Sequence, residues 1–167
     1  MAINFMAIAT GVVTAIAGAF VALYVYHHQS KRKIKENTID LLSKHETDPT
    51  LYDVQRYMNK TLRENGADLS KIEDVGELRF FSSKILNYYE GIAYRVREGL
   101  VDKGTIKKQY KDMIIRDIDS LLKGEESGGI KPPKEPLFSE DQAEKWLPDL
   151  MEFYRELKKE EEKPDPE

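Results

Sequence analysis

The pattern of apolar and polar positions divides the chain into one long apolar segment and a series of amphipathic segments. The apolar segment runs from Ile3 to Tyr26 and contains no Asp, Glu, Lys or Arg. About twenty such residues, at a rise of roughly 1.5 Å each, match a hydrocarbon layer of about 30 Å. The segment therefore predicts a transmembrane helix, and we assign residues 1–30 to an anchor.

Cationic residues follow the apolar segment, and none precedes it. Under the positive-inside rule this asymmetry places the N-terminus outside and the rest of the chain in the cytoplasm. We therefore expect a single-pass protein of the inner membrane. A cleaved signal peptide is the alternative, but the segment lacks a basic start and exceeds the usual length of an apolar signal region. The residues expected to contact lipid headgroups are Lys31, Arg32, Lys33 and Lys35.

Small residues recur along the apolar segment at helical spacing. They are Ala7, Gly11, Ala15, Gly18 and Ala22. A face of small residues lets two helices approach closely in lipid, so it predicts self-association of the anchor. The alternative is that Ala and Gly are simply frequent in membrane helices.

The rest of the chain predicts a small all-α bundle beneath the anchor. The first helix keeps a three-to-four spacing of apolar residues as far as His45, so we expect it to run past the membrane interface. Asp48 and Pro49 predict the cap and first residue of a second helix, which ends at residues 65–66. Asp102 predicts the cap of a fourth helix that closes at Gly124.

The third helix is predicted to be the longest of the bundle and to hold its core. Ser70 and Glu73 have the spacing of a capping box, and Gly99 gives a stop. Gly76 and Gly91 lie inside this helix, where each glycine costs about 1 kcal/mol relative to alanine. We therefore expect a close helix crossing or a kink at one of them.

The C-terminal part of the chain predicts a loop, one more helix and a charged tail. Residues 124–138 contain three glycines and three prolines, a composition that excludes a regular helix. A capping box at residues 139–142 opens the last helix, whose expected inner face includes Trp146, Leu150 and Tyr154, with Pro148 bending or restarting it. The predicted divisions are an anchor (1–30), a helical domain (31–123), the loop (124–138), a docking helix (139–158) and a tail (159–167).

Composition narrows the possible functions. The net charge is −4 with both signs interspersed after Ser30, which gives no basic stripe for nucleic acid. There is no cysteine, so disulfides, cysteine zinc sites and thiol nucleophiles are excluded. The three histidines have no spacing that suggests a metal site, and no phosphate-binding, dinucleotide or hydrolase motif is present. We expect no cofactor, no metal and no enzymatic activity.

Two segments, 38–58 and 85–114, resemble a bacterial and phage family known as domain-of-unknown-function family 4760. The resembling features are Asp48-Pro49 at a helix start, the run Tyr88-Tyr89-Glu90, the stop at Gly99 and the cap at Asp102. The resemblance spans most of residues 1–122 and implies an N-terminal span followed by a helical domain. It implies no catalytic residues.

One polar cluster on the third helix is a candidate functional site. Glu90 lies beside the buried stripe, and a half-buried carboxylate needs a partner. An acid–base or ligand-binding role is one interpretation, and a structural salt bridge to Arg56, Arg79 or another arginine is the other. The candidate residues are Asn87, Tyr88, Glu90, Arg95 and Arg97.

The sequence therefore predicts a membrane-anchored helical domain that binds proteins. We expect an unidentified protein partner, the membrane and a second copy of the chain, but no nucleic acid. Two alternatives stay open. One is an effector that assembles in the membrane in phage defence or toxicity, and the other is an unrecognised hydrolase centred on Glu90.

Overall fold

The computed structural model describes residues 5–161, with side chains from residue 20 onward apart from position 46. This part of the chain is all-helical. A 3-10 turn at Leu69–Lys71 precedes the third helix, and a π-type turn at Asp119–Lys123 extends the fourth. The six α-helices are α1 (Phe5–Thr47), α2 (Pro49–Glu64), α3 (Val75–Arg97), α4 (Lys103–Ile118), α5 (Glu140–Trp146) and α6 (Pro148–Glu161).

The predicted transmembrane anchor is corrected by the structure. Among the residues that the structure describes, no helix is both long enough and apolar enough to cross a bilayer. The prediction of a single-pass membrane protein of the inner membrane is thereby contradicted. Most of the predicted span, up to residue 19, lies outside the described side chains.

Three of the predicted helix starts are confirmed. The Asp48 carboxylate accepts hydrogen bonds from Thr50 N (2.8 Å) and Leu51 N (3.4 Å) at the start of α2. The Asp102 carboxylate accepts one from Thr105 N (2.7 Å) at the start of α4. A capping box is formed at the start of α5. Each cap satisfies amide groups that have no partner inside the helix.

The predicted start of α3 at Ser70 is wrong. The helix begins at Val75, and its cap is Asp74, whose carboxylate accepts from Glu77 N at 3.0 Å. Ser70 donates its hydroxyl to Asp68 (2.6 Å) within the preceding 3-10 turn, so that hydroxyl does not cap a long helix. The turn buries Leu69. The 3-10 turn that buries Leu69 therefore lies where the sequence predicted the first turn of α3.

The main core lies between α3, α4 and α6. Its fully buried members include Leu86 and Ile92 of α3, Ile114 of α4, and Leu150 and Leu157 of α6. A smaller cluster joins the 3-10 turn, the start of α3 and the Gly/Pro-rich loop. That cluster consists of Leu69, Leu78, Leu121, Ile130 and Leu137.

The C-terminal end of α1 is bonded to the connection between α3 and α4. Thr38 Oγ1 accepts a hydrogen bond from Asp102 N (2.8 Å), and Asn37 Nδ2 donates to the Leu100 carbonyl (3.0 Å). Leu41 is buried in the main core. These contacts make the last turns of α1 part of the bundle.

The C-terminal helical segment is divided at Pro148. Leu147 has φ −131° and ψ 50°, outside the helical region, so α5 ends there and α6 restarts at the proline. The side chains of α6 continue the predicted inner face. Trp146 does not, because it belongs to α5 and is 59% exposed. The prediction of Trp146 as a core residue is wrong.

Candidate functional site

The structure separates the polar cluster that the sequence places on α3. Glu90 and Arg97 lie together at the N-terminus of α6. Tyr88 lies against α4, and Asn87 lines a groove on another face. Arg95 is exposed. The five residues therefore do not form one site.

Glu90 caps α6 from a different helix. Its Oε2 accepts a hydrogen bond from Leu150 N (2.7 Å), and its Oε1 accepts one from Asp149 N (3.3 Å). The residue before α6 is Leu147, which has no side-chain acceptor, although capping positions usually have one. A carboxylate at a helix N-terminus also interacts favourably with the helix dipole. Glu90 thus has a structural partner, the backbone of α6, and not Arg56 or Arg79 as the sequence suggested.

Arg97 compensates the negative charge around the same helix end. Its guanidinium bonds to the Asp149 carboxylate, which is buried, and to Glu98 Oε1 at 3.1 Å. Burial raises the pKa of Glu90, and the nearby Asp149 raises it further, while the two backbone hydrogen bonds act in the opposite direction. This arrangement holds α6 against α3 and leaves no carboxylate oxygen of Glu90 without a bond.

Tyr88 belongs to an aromatic group between α1, α3 and α4. Its hydroxyl lies 3.2 Å from that of Tyr110, and its ring stacks on His45 with centroids 5.5 Å apart. Burial raises the pKa of Tyr88. The phenol is therefore neutral at ordinary pH, and its contacts fasten the end of α1 to the bundle.

A groove between α3 and α5 is the most apolar concave surface among the larger ones in the described part of the chain. Its volume is about 330 Å³, near the lower end of the range of ligand and peptide pockets. Trp146 forms one edge and lies more than half exposed. The lining residues are Ser83, Leu86, Asn87, Phe138, Ala143, Trp146 and Leu147.

The outer face of α3 continues this groove along the helix. Phe80, Asn87 and Tyr94 are exposed at intervals of seven residues, and Gly91 lies between the last two. A Cβ atom at Gly91 would have no heavy atom within 4 Å, apart from those of its own helix backbone and neighbours. We expected a close helix crossing or a kink at either Gly76 or Gly91, and within the described residues no close crossing is formed at Gly91.

Sequence reasoning missed this surface because it assigned Trp146 to the core. The signal that would have found it is Pro148. A proline restarts a helix, so the residues before it do not continue the inner face of the residues after it. Residue type alone also does not distinguish the exposed Phe and Tyr residues of α3 from its buried apolar residues, so the sequence did not reveal this surface.

The predicted lipid-contacting and oligomer-forming residues are not tested by the structure. Lys31, Arg32, Lys33 and Lys35 are exposed on α1, and Arg32 pairs with Glu36 at 2.8 Å. Of the small-residue face, Ala22 is exposed. Ala7, Gly11, Ala15 and Gly18 lie outside the residues whose side chains are described. Both roles stay predictions from sequence.

Comparison with known proteins gives one match. Residues 12–122 match the model of a family described as a domain of unknown function (DUF4760). No curated protein and no solved structure matches the chain. The matched range ends within the π-type turn after α4, so α5 and α6 lie beyond it.

Proposed function

The chain belongs to the DUF4760 family, whose model covers well over half of it, and from that premise we propose that its helical bundle is a protein-interaction domain. The binding surface is the groove between α3 and α5 together with the outer face of α3. We propose a second copy of the chain as its first partner. The observation that carries the proposal is the exposed Trp146 at the edge of an apolar groove.

Two physical arguments support this surface. Tryptophan and tyrosine dominate the binding energy of protein interfaces, and Trp146, Tyr94 and Phe80 are all exposed along one side of the bundle. A glycine inside a helix costs about 1 kcal/mol. At Gly91 no neighbour in the described bundle uses the space that the missing side chain leaves. A partner helix that approaches α3 at this point would use it.

Self-association is proposed first because most soluble oligomers are built from identical chains, and two-fold dimers are the commonest. In such a dimer the same patch lies on both sides of the contact. The polar rim of the groove, formed by Ser83 and Asn87, carries no charge. On the outer face of α3, Lys84 lies over the Phe80 ring and Arg97 over the Tyr94 ring. The hydrolase alternative has no such support, since both oxygens of Glu90 accept bonds from α6. The effector alternative depended on assembly in a membrane and is not carried forward.

Sedimentation velocity of the full chain over a range of concentrations tests the proposal. Gly91→Leu is the informative variant, because leucine has the higher helix propensity and its Cβ would meet no heavy atom within 4 Å beyond its own helix backbone and neighbours. We expect it to stabilise the monomer slightly, by about 0.5–1 kcal/mol, and to weaken association. Trp146→Ser should weaken association too. Tyr52→Ser, which changes an equally exposed aromatic residue on α2, is the matched control.

Each outcome decides a part of the proposal. If the wild type associates and Gly91→Leu and Trp146→Ser behave as it does, the surface is wrong. If the wild type is a monomer at every concentration, self-association is wrong. If the Tyr52→Ser control weakens association as much as the other two variants, the contact does not lie at α3 and α5.

A further inference from the structure

A second concave surface lies on a different side of the bundle, between α2 and α4. α2 packs on α1 and α3 and leaves a cleft of about 250 Å³ before it reaches α4. Met58 and Asn59 lie on the α2 wall, and Met113 and Arg116 lie on the α4 wall. The cleft is separate from the groove at Trp146, so it has no part in the proposed protein contact.

The charged groups of the cleft neutralise one another. Asp117 is only 6% exposed. Its Oδ1 accepts a hydrogen bond from Arg116 Nε (2.9 Å) and forms an ion pair with Nη2 at 2.8 Å. Its Oδ2 accepts from the Tyr89 hydroxyl at 2.9 Å. Burial raises the pKa of Asp117, while the Arg116 charge and the hydrogen bonds lower it. The cleft therefore offers a fixed polar surface without net charge.

The Gly/Pro-rich loop holds Arg116 in place. Gly128 has φ +57°, and a Cβ atom there would lie 2.9 Å from both Cγ and Cδ of Arg116. Only glycine lets the loop backbone lie this close to the arginine stem. The guanidinium is thus positioned before any ligand arrives, which lowers the entropy cost of binding.

We propose that this cleft binds a small, uncharged heteroaromatic compound with a hydrogen-bonding edge, the chemistry of a free nucleobase. Its volume is below the range of about 300–1,000 Å³ that is typical of drug-sized ligands, so it suits a molecule of one or two rings. Met58 and Met113 bring thioethers from opposite walls, and thioethers make favourable contacts with aromatic rings.

The polar residues of the cleft determine which hydrogen-bonding groups the edge of the ligand should present. The Asn59 amide offers one acceptor and two donors, the set that pairs with the edge of a base. Gln55 lies one helical turn earlier, and its Nε2 donates to His45 Nε2 at 3.1 Å, which fixes the amide. An ionic ligand would lose its water shell without gaining an opposite charge, because Arg116 and Asp117 already pair.

Methionine-methyl NMR on the full chain, titrated with adenine and with uracil, tests the proposal. Of the five methionines, Met58 and Met113 lie in the cleft, and Met151 is buried in the main core as an internal reference. We expect saturable shifts of Met58 and Met113 and none of Met151. Asn59→Ala should weaken binding about tenfold, which corresponds to roughly 1.4 kcal/mol. Lys60→Ala, which changes the exposed neighbour of Asn59 on α2 and does not line the cleft, should leave it unchanged.

Charged compounds of similar size separate the proposal from adventitious binding. Benzoate and benzylamine should shift neither cleft methionine at the concentrations at which the bases do. Tighter binding of adenosine 5′-monophosphate than of adenine would show that the site selects an anion, and it would overturn the proposal. So would the absence of shifts with both bases, an equal shift at Met151, or binding that Asn59→Ala does not weaken.

Discussion

Replacing Glu90 with glutamine tests whether this residue stabilises the fold by capping α6. The substitution keeps the shape of the side chain and one acceptor oxygen. It replaces the second oxygen with an NH₂ group, which cannot accept the hydrogen bond from Leu150 N or Asp149 N. The negative charge at the N-terminus of α6 is lost as well. The change therefore removes one charge-assisted hydrogen bond and its interaction with the helix dipole.

The size of the effect follows from these two losses and one gain. A hydrogen bond to a charged group contributes about 1.5–3 kcal/mol, and the charge–dipole interaction adds about 0.3–1 kcal/mol. Burial raises the pKa of Glu90, so the neutral amide recovers part of the desolvation cost of the carboxylate. We expect Glu90→Gln to lower the free energy of unfolding by about 1–2 kcal/mol. Glu90→Ala leaves both amides without an acceptor and should cost about 2–4 kcal/mol.

Urea unfolding of the full chain measures these differences. Trp146 is the only tryptophan and lies at the end of α5, next to the start of α6, so its fluorescence reports on this region. Far-UV circular dichroism should give the same midpoint if unfolding is two-state. Glu126→Gln, which makes the same change at an exposed loop position, is the control.

The capping role is refuted if Glu90→Gln is as stable as the Glu126→Gln control, or if Glu90→Ala costs no more than Glu90→Gln. A loss of activity in Glu90→Gln at unchanged stability would instead favour the hydrolase alternative. A structural cap affects the stability of the fold, whereas a catalytic carboxylate affects turnover.

Three further predictions concern stability. Ile92→Ala empties a fully buried site in the core and should cost about 2–5 kcal/mol in urea unfolding; a cost under about 1 kcal/mol would mean that the core is misplaced. Asp102→Ala removes the acceptor for Thr105 N and should cost about 1 kcal/mol by the same measurement. Burial raises the folded-state pKa of Asp117, so its contribution to stability is present at low pH and is lost as the pH rises through that pKa. Asp117→Asn should therefore flatten the decline in stability that begins above the unperturbed aspartate pKa of about 3.9, and an unchanged pH profile would contradict this reasoning.

Local signals in the sequence were sufficient for several helix boundaries. Asp48 with Pro49, Asp102 and Ser139 each mark a helix start, since a cap is an interaction between a side chain and amides two or three residues away. Gly124 marks an end because its φ of +67° suits glycine. Because such features depend on only a few neighbouring residues, they can be predicted from the amino-acid sequence.

Local signals failed where a distant contact competed with them. Ser70 has the spacing of a capping box, but Asp68 takes its hydroxyl and Leu69 is buried by the turn. Trp146 follows the apolar spacing of α6, but the break at Leu147 turns it to the surface. In the apolar N-terminal segment, the described residues contain no helix that can span a membrane.

The sequence by itself determined the helical class, the family and the residue types that lie near the candidate sites. Only the tertiary structure decided which of them meet. Glu90 bonds to Leu150, sixty residues away, and Asp117 meets Tyr89, twenty-eight residues away. Helical periodicity describes the face on which a residue lies, but the packing of whole helices decides which other face lies against it. That packing depends on the sum of many small contacts across the core and not on any one residue or motif.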